Sequence, residues 1–114
     1  MIAFKTAAAN AVLAAALGFP QLVSADGFTG ADVLGWSQEA QDSFFQTSVT
    51  MIGIVATRRP DTAHIAECID GWYGGGDASQ PQRSARIREV MQGLPQYHPQ
   101  AVILAVIEKE CGEF

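Results

Sequence analysis

Two apolar stretches decide the fold of this chain, AHIAECIDGWY at residues 63–73 and PQAVILAVIEKEC at residues 99–111, and each contains one cysteine. Their apolar residues recur at the i, i+3, i+4, i+7 spacing of one helix face: Ile65, Cys68, Ile69 and Trp72 in the first, and Val102, Ile103, Val106, Ile107 and Cys111 in the second. The spacing predicts helices over about 61–73 and 98–111. Both cysteines then lie on apolar faces.

Two further helices are predicted from the same spacing. The first covers about 31–57, where Ser37 caps a new turn after a short opening piece and Pro60 stops the helix. The other covers about 81–93, with Pro81 in its first turn. Their apolar stripes are Phe45, Val49, Ile52 and Ala56, and then Ile87, Val90, Met91 and Leu94. No alternating strand pattern competes, so the sequence predicts an all-α bundle of about four helices.

The first 25 residues have the pattern of a secretory signal. Lys5 is followed by an apolar run from Ala7 to Gly18, and Val23-Ser24-Ala25 supplies small residues at the cleavage positions. A membrane anchor is the alternative, but about 20 apolar residues are needed to span a bilayer. We therefore expect a cleaved signal peptide at 1–25, a single helical domain at 26–114, no integral membrane segment after cleavage, and a periplasmic or secreted location.

The chain contains two cysteines, Cys68 and Cys111, and both fall in the mature region. Export implies an oxidising compartment, and two cysteines allow one intramolecular pairing. The bond would enclose 43 positions, which stabilises by roughly 3–4 kcal/mol in the chain-entropy model. Two free thiols or an intermolecular bond is the alternative. We expect the internal disulfide Cys68–Cys111.

The charge of the chain argues against two classes of partner. The formal net charge is −5, and it becomes −6 when Lys5 is removed with the leader. Nucleic acids and anionic lipids both require clustered Lys and Arg side chains. The balance suits a soluble protein or one that meets a basic partner.

We find no catalytic, cofactor or metal constellation in the sequence. His98, in Tyr97-His98-Pro99, is expected to cap a helix, and His64 to lie on the polar side of its helix. A structural zinc site needs four ligands, and Gly74-Gly75-Gly76 lacks the strand and the Lys-Ser/Thr of a phosphate loop. We expect a protein that is not an enzyme and that has no cofactor.

The adjacent aromatic residues allow two interpretations, a wide core face or a partner surface. Phe44 and Phe45 are adjacent, so on a helix they point about 100° apart. A wide core face would bury both. In the alternative, Phe44 or Tyr73 belongs to a partner groove that Arg58 and Arg59 rim.

Several motifs together resemble the Rap/Tai family of periplasmic immunity proteins. They are the leader, FTGADVL at 28–34, a helix ending near Val55-Ala56, Cys68, REVM at 88–91, and PQAVILAVI at 99–107 before the terminal cysteine. Family members usually carry another cysteine pair in the first helical region. This chain has no cysteine at the matching positions, near Trp36 and Asp42. The resemblance implies a helical fold and a protein that masks a secreted toxin, with no toxin-contact residue carried over.

A second family comparison is the Hde type of acid-stress chaperone, which is also small, exported and helical. Protonation of carboxylates would there loosen an oligomer and expose apolar surface. The cysteine placement does not match that family's early first cysteine. We therefore expect a binding protein with a protein partner, with the chaperone as runner-up and a small enzyme or enzyme accessory factor as a third class. The sequence leaves open whether the chain forms an oligomer.

Overall fold

The computed structural model describes residues 27–75 and 79–114. Over these residues it contains five α-helices and no strand, which confirms the predicted all-α bundle. The helices are α1 (Gly30–Leu34), α2 (Gln38–Ala56), α3 (Ala63–Tyr73), α4 (Ser79–Gly93) and α5 (Pro99–Cys111), with a 3-10 turn at Pro60–Thr62 between α2 and α3. The predicted leader at 1–25 and Gly76 of the triglycine lie outside the described residues.

The fifth helix comes from a break in the first predicted segment. The opening piece forms its own helix, α1, and α2 starts after Ser37, whose Oγ accepts a hydrogen bond from the backbone N–H of Ala40 at 3.2 Å. A residue of α2 stabilises the break between the two helices. The Nε2 of Gln41 donates to the carbonyl oxygens of Leu34 at 3.1 Å and Trp36 at 3.0 Å. These bonds satisfy backbone groups that the interrupted helix leaves open.

The core forms where the apolar faces of all five helices meet. Met91 of α4 and Ile107 of α5 are fully buried in it. Most members of the predicted stripes are buried, and Ile52, Trp72, Val90 and Leu94 pack at its margin. The buried apolar residues are Val33, Phe45, Val49, Ala56, Ile65, Ile69, Tyr73, Ile87, Met91, Val102, Ile103, Val106 and Ile107.

The predicted disulfide is present. Cys68 of α3 and Cys111 of α5 are bonded at an S–S distance of 2.04 Å, with their Cα atoms 5.6 Å apart. The bond fastens the last turn of the chain's final helix to the middle of α3. It therefore joins the two stretches from which the fold was predicted.

Helix α5 begins at a proline, as the sequence indicates. Pro99 occupies its first turn, and the Nδ1 of His98 accepts a hydrogen bond from the backbone N–H of Gln100 at 3.1 Å. The predicted capping role of His98 is confirmed. The side chain of Gln100 then donates to the Oγ of Ser48 on α2 at 3.1 Å, which fixes the start of α5 against the middle of α2.

Candidate interaction surface

Helix α2 has one side in the core and exposes the other. Its buried residues include Phe45, Val49 and Ala56. On the opposite side three large apolar side chains remain exposed, Met51 at 57 %, Ile54 at 52 % and Val55 at 52 %. Single exposed apolar residues are ordinary on protein surfaces, but three neighbours on one helix face indicate a contact surface.

This exposed side of α2 also has no charge along most of its length. The fifteen residues SFFQTSVTMIGIVAT, 43–57, contain no Asp, Glu, Lys or Arg, although the solvent side of a helix is normally charged. We define the α2 outer face as the exposed positions of this side together with the half-buried Phe44: Ala40, Ser43, Phe44, Thr47, Met51, Ile54 and Val55.

A shallow groove runs beside the α2 outer face. It has a volume of about 210 Å³ and is lined by Ser48, Met51, Ile52, Gln100 and Leu104, so it lies between α2 and α5. Small-molecule sites occupy about 300–1,000 Å³, and this groove is smaller and mainly apolar. Its size suits one or two side chains of a docked helix.

The N-terminal end of the α2 outer face is an aromatic cluster. The ring of Phe28 lies 5.8 Å from that of Trp36, 5.9 Å from Phe44 and 5.6 Å from His98, centroid to centroid. Trp36 also contacts Phe44 edge-on at 5.6 Å and keeps 40 % of its surface exposed. Aromatic residues held in such clusters are rigid, so they lose little freedom when a partner binds.

The four predicted partner residues do not form one surface. Phe44 lies on the α2 outer face, and Arg58 follows the C-terminal end of the same face in an exposed position. Arg59 is also exposed, and its guanidinium holds Asp61 through two hydrogen bonds of 3.0 and 2.9 Å. These bonds lower the pKa of the Asp61 carboxyl and engage Arg59 within its own chain.

Tyr73 lies in the core, and its prediction as a partner-facing residue is wrong. It is 4 % exposed, and its hydroxyl shares a hydrogen bond of 2.9 Å with the Oγ of Ser84 on α4. Burial raises the pKa of the Tyr73 phenol. Helix α4 packs over the end of α3 and covers the ring, which leaves little of it for a protein partner.

A larger groove of about 410 Å³ lies beside Tyr73, between α2 and the start of α4, and Asp42 and Gln80 are among its lining residues. Asp42 is already paired with Arg88. Gly74 and Gln80 also line it, and residues 76–78, which separate these two in the sequence, lie outside the described residues, so we assign the groove no ligand.

In the described residues, the contacts of the two histidines do not form a catalytic pair or triad. His98 uses Nδ1 to cap α5, and His64 lies exposed on α3 with its Nε2 toward Gly112. In residues 27–75 and 79–114, no group of three or more His, Cys, Asp or Glu side chains is placed to hold a metal ion. Over the same residues no helix has the length and apolar character needed to cross a bilayer.

Met51, Ile54 and Val55 were not among the residues predicted to form a partner surface. A signal for them was present, because a second apolar series on α2 runs through Phe44, Met51 and Ile54 beside the core stripe. A helix with two such series has more apolar surface than one core can cover.

Comparison with known proteins adds no assignment, since no family model, no curated protein and no solved structure matches this chain.

Proposed function

We propose that this chain is an exported, periplasmic, non-enzymatic binding protein of the Rap/Tai-like type, which masks a secreted toxin by docking on it through the α2 outer face. The observation that carries the proposal is the uncharged, apolar and exposed side of α2, with Met51, Ile54 and Val55 each more than half exposed. The motif resemblance supplies the toxin as the partner class.

The physical chemistry of the face suits protein binding. A partner that covers Met51, Ile54 and Val55 removes apolar surface from water and strips no charged group of its hydration. The two ends carry Trp36 and Arg58, and Trp and Arg are enriched among the residues that dominate binding energies. A centre without charged residues is also typical of the buried core of a protein interface.

The charge of the chain adds a preference for the partner. The formal net charge of −5 favours a basic protein, because opposite net charges raise the rate of encounter. Complex formation should therefore slow as salt is added, while the apolar contact itself persists.

The test uses the genes that flank the gene of this chain. We choose a flanking gene whose product stops growth when it is directed to the periplasm. That gene is co-expressed with this chain at neutral pH. We expect the wild-type chain to restore growth. Met51→Glu and Ile54→Glu, which place a charge on the α2 outer face, should abolish the rescue.

The matched control is Gln82→Glu, which adds the same charge at an exposed position of α4. It should rescue growth as the wild type does. Rescue by the two α2 variants as strong as by the wild type would exclude the α2 outer face. Protection of other proteins from aggregation only below about pH 4, where carboxylates protonate, would identify an acid-stress chaperone instead.

A further inference from the structure

A third groove lies beside the α2 outer face, between α2 and α3. It has a volume of about 300 Å³, and its lining includes Val49, Gly53 and Ile54 of α2 and Ile69 and Asp70 of α3. We call it the α2–α3 groove. Val49 and Ile69 belong to the core and make the lining apolar, whereas Ile54 is also part of the α2 outer face. A protein that covers this face therefore also reaches the groove.

The fold gives no reason for the missing side chain at Gly53. Gly is among the least favourable residues in a helix, and Gly53 lies inside α2, before its C-cap Thr57. Its φ is not positive, so no special backbone conformation requires Gly. A Cβ added there would meet the Cγ2 of Ile69 at 3.6 Å, which is an ordinary van der Waals contact. An alanine would fit, and folding alone would favour it.

The absence of a side chain at Gly53 instead keeps the α2–α3 groove open. The added Cβ would stand against Ile69, and both residues line the groove. Even one methyl group would therefore occupy part of a space of about 300 Å³. Gly in a helix is often found where another chemical group approaches the backbone closely. The groove thus has the character of a binding feature that costs the helix some stability.

Asp70 gives the α2–α3 groove a charge. It is the single charged side chain among the described residues that line the groove. It is exposed, and it takes part in none of the salt bridges within the described residues. A carboxylate without a cation, next to an apolar lining, suits a group that has an apolar stem and a cationic end. Lys and Arg side chains have this form, because their stems lie along apolar surface while the charged end stays in water.

We propose that the α2–α3 groove receives one long basic side chain, Lys or Arg, of the protein that docks on the α2 outer face. The carbon stem lies over Gly53 and Ile69, and the cationic end pairs with the carboxylate of Asp70. The formal net charge of −5 favours a basic partner in the same way. This inference rests on the proposed function, because the docked toxin supplies the side chain.

The proposed contact uses only the two helix walls of the groove. Gly74 and Gln80 line it as well. Residues 76–78, which separate these two in the sequence, lie outside the described residues. Gly53, Ile69 and Asp70 all belong to α2 or α3, so the contact does not depend on that segment.

A basic side chain in the groove would make the α2 outer face selective. The apolar side chains Met51, Ile54 and Val55 can pack against many apolar surfaces, so by themselves they discriminate little between partners. A partner without a cation at the right distance from its apolar patch would leave Asp70 unpaired at the edge of the contact. Specificity arises from such differences between partners.

The first experiment tests the groove on the purified, disulfide-bonded chain. The probes are n-pentylammonium and n-butylguanidinium, which have the stems and charged ends of Lys and Arg. In an NMR titration of the isotope-labelled chain at neutral pH, we expect shifts of the Gly53 and Asp70 amides with a Kd on the order of 10 mM. The probe that binds more tightly identifies Lys or Arg. The control n-pentanol, which has no charge, should bind about threefold more weakly, the usual effect of an exposed ion pair.

A matched pair of glycine variants tests the role of Gly53. Gly53→Ala and Gly71→Ala both replace Gly within a helix, and nothing lies within 4 Å of a Cβ added at Gly71, which does not line the groove. Both should raise the melting temperature by a few degrees, because Ala is the better helix former. Gly53→Ala alone should weaken binding of n-pentylammonium. A melting temperature lowered by Gly53→Ala would show that the fold itself needs this Gly and would overturn the proposal.

The second experiment is isothermal titration calorimetry with the growth-stopping product of the flanking gene. We expect Gly53→Ala to weaken the complex about tenfold, because the added methyl displaces the stem, and Asp70→Asn to weaken it about fivefold. Glu67→Gln removes the same charge at another exposed position of α3, and it should bind as the wild type does.

The outcomes separate this inference from the proposed function. Wild-type affinity in both Gly53→Ala and Asp70→Asn would overturn the basic side chain in the groove and leave docking on the α2 outer face intact. A gene product that does not bind the wild-type chain would overturn the proposed function, and the NMR titration then decides about the groove alone. Equal affinity for n-pentylammonium and n-pentanol, or no shift at Gly53 and Asp70 with either cation, would overturn the inference.

Discussion

Arg88 of α4 donates a hydrogen bond from its Nε to the Oε1 of Gln41 on α2, at 2.6 Å. Gln41 is only 6 % exposed, and its Nε2 holds the carbonyl oxygens of Leu34 and Trp36. The guanidinium of Arg88 also pairs with Asp42. One buried amide thus joins α4 to the break between α1 and α2, and it fixes the end of the α2 outer face where Trp36 lies.

Replacing Gln41 should destabilise the fold. Gln41→Ala removes three hydrogen bonds. The carbonyl oxygens of Leu34 and Trp36 and the Nε of Arg88 then lose this partner. We therefore expect a loss of about 2–3 kcal/mol in the free energy of unfolding. Urea denaturation measures it. Gln46→Ala, at an exposed position of the same helix, should change stability by less than about 0.5 kcal/mol. Equal losses in both variants would contradict the role of the Gln41 amide.

Gly30 should not tolerate a side chain. A Cβ added there would lie 2.8 Å from the Cγ of Met91, which is fully buried, and the N–H of Gly30 donates to the Tyr97 carbonyl at 2.8 Å. Neither neighbour can withdraw easily, so Gly30→Ala should cost about 1–3 kcal/mol. Gly27→Ala is the control, because nothing lies within 4 Å of its added Cβ. Thermal unfolding of the two variants should differ clearly; matching melting temperatures would show that Met91 repacks freely.

Reduction of the Cys68–Cys111 bond should lower stability. The bond encloses 43 positions, which corresponds to roughly 3–4 kcal/mol in the chain-entropy model. We expect a melting temperature lower by more than about 10 °C in reductant, given that each kcal/mol moves a domain of this size by several degrees. Cys68→Ser should melt at the lower temperature in both buffers. Identical melting of the wild type with and without reductant would show that the bond does not stabilise the fold.

Stability should fall in alkaline solution because of Tyr73. Burial raises its folded-state pKa above the ordinary value of 10.0, so above pH 10 the unfolded chain releases the phenol proton first. The stabilisation is complete below pH 10 and is lost as the pH rises toward the folded-state pKa. Tyr73→Phe should show a smaller decrease in melting temperature between pH 9 and pH 11. An equal decrease in both proteins would mean that Tyr73 does not cause it.

Ser84 provides a second check on the same site. Its hydrogen bond to the Tyr73 hydroxyl opposes the effect of burial on the pKa. Ser84→Ala should therefore raise the pKa of Tyr73 further, which an absorbance titration of the phenol detects. A lowered pKa in this variant would show that the cavity left by the hydroxyl admits water.

Features that depend on neighbouring residues along the chain were predictable from the sequence. The helix faces around Ile65 and Ile103 follow from apolar spacing, and the starts of α2 and α5 follow from Ser37 and from His98 with Pro99. The disulfide followed from there being two cysteines on two apolar faces. The helix faces and helix starts depend on residues within about one helix turn. The disulfide was predictable because two cysteines allow only one intramolecular pairing.

Features that depend on packing between distant segments were not predictable in the same way. Tyr73 and Phe44 look alike in the sequence, but α4 covers Tyr73, while Phe44 stays at the edge of the surface among Phe28 and Trp36. From the sequence alone Gln41 would be predicted to be an exposed helix residue. The structure shows instead that Arg88, 47 positions away, packs against it. Only the assembled bundle decides which polar groups are satisfied internally.

The sequence by itself determined the helices, their capping residues and the pairing of Cys68 with Cys111, because local periodicity and chemistry specify them. The tertiary structure alone decided that α2 turns one apolar series into the core and leaves Met51, Ile54 and Val55 exposed. The physical reason is that the helices packed against α2, chiefly α3, α4 and α5, cover only one side of it. Which side remains free depends on where those helices pack, and that is set by contacts between residues far apart in the chain.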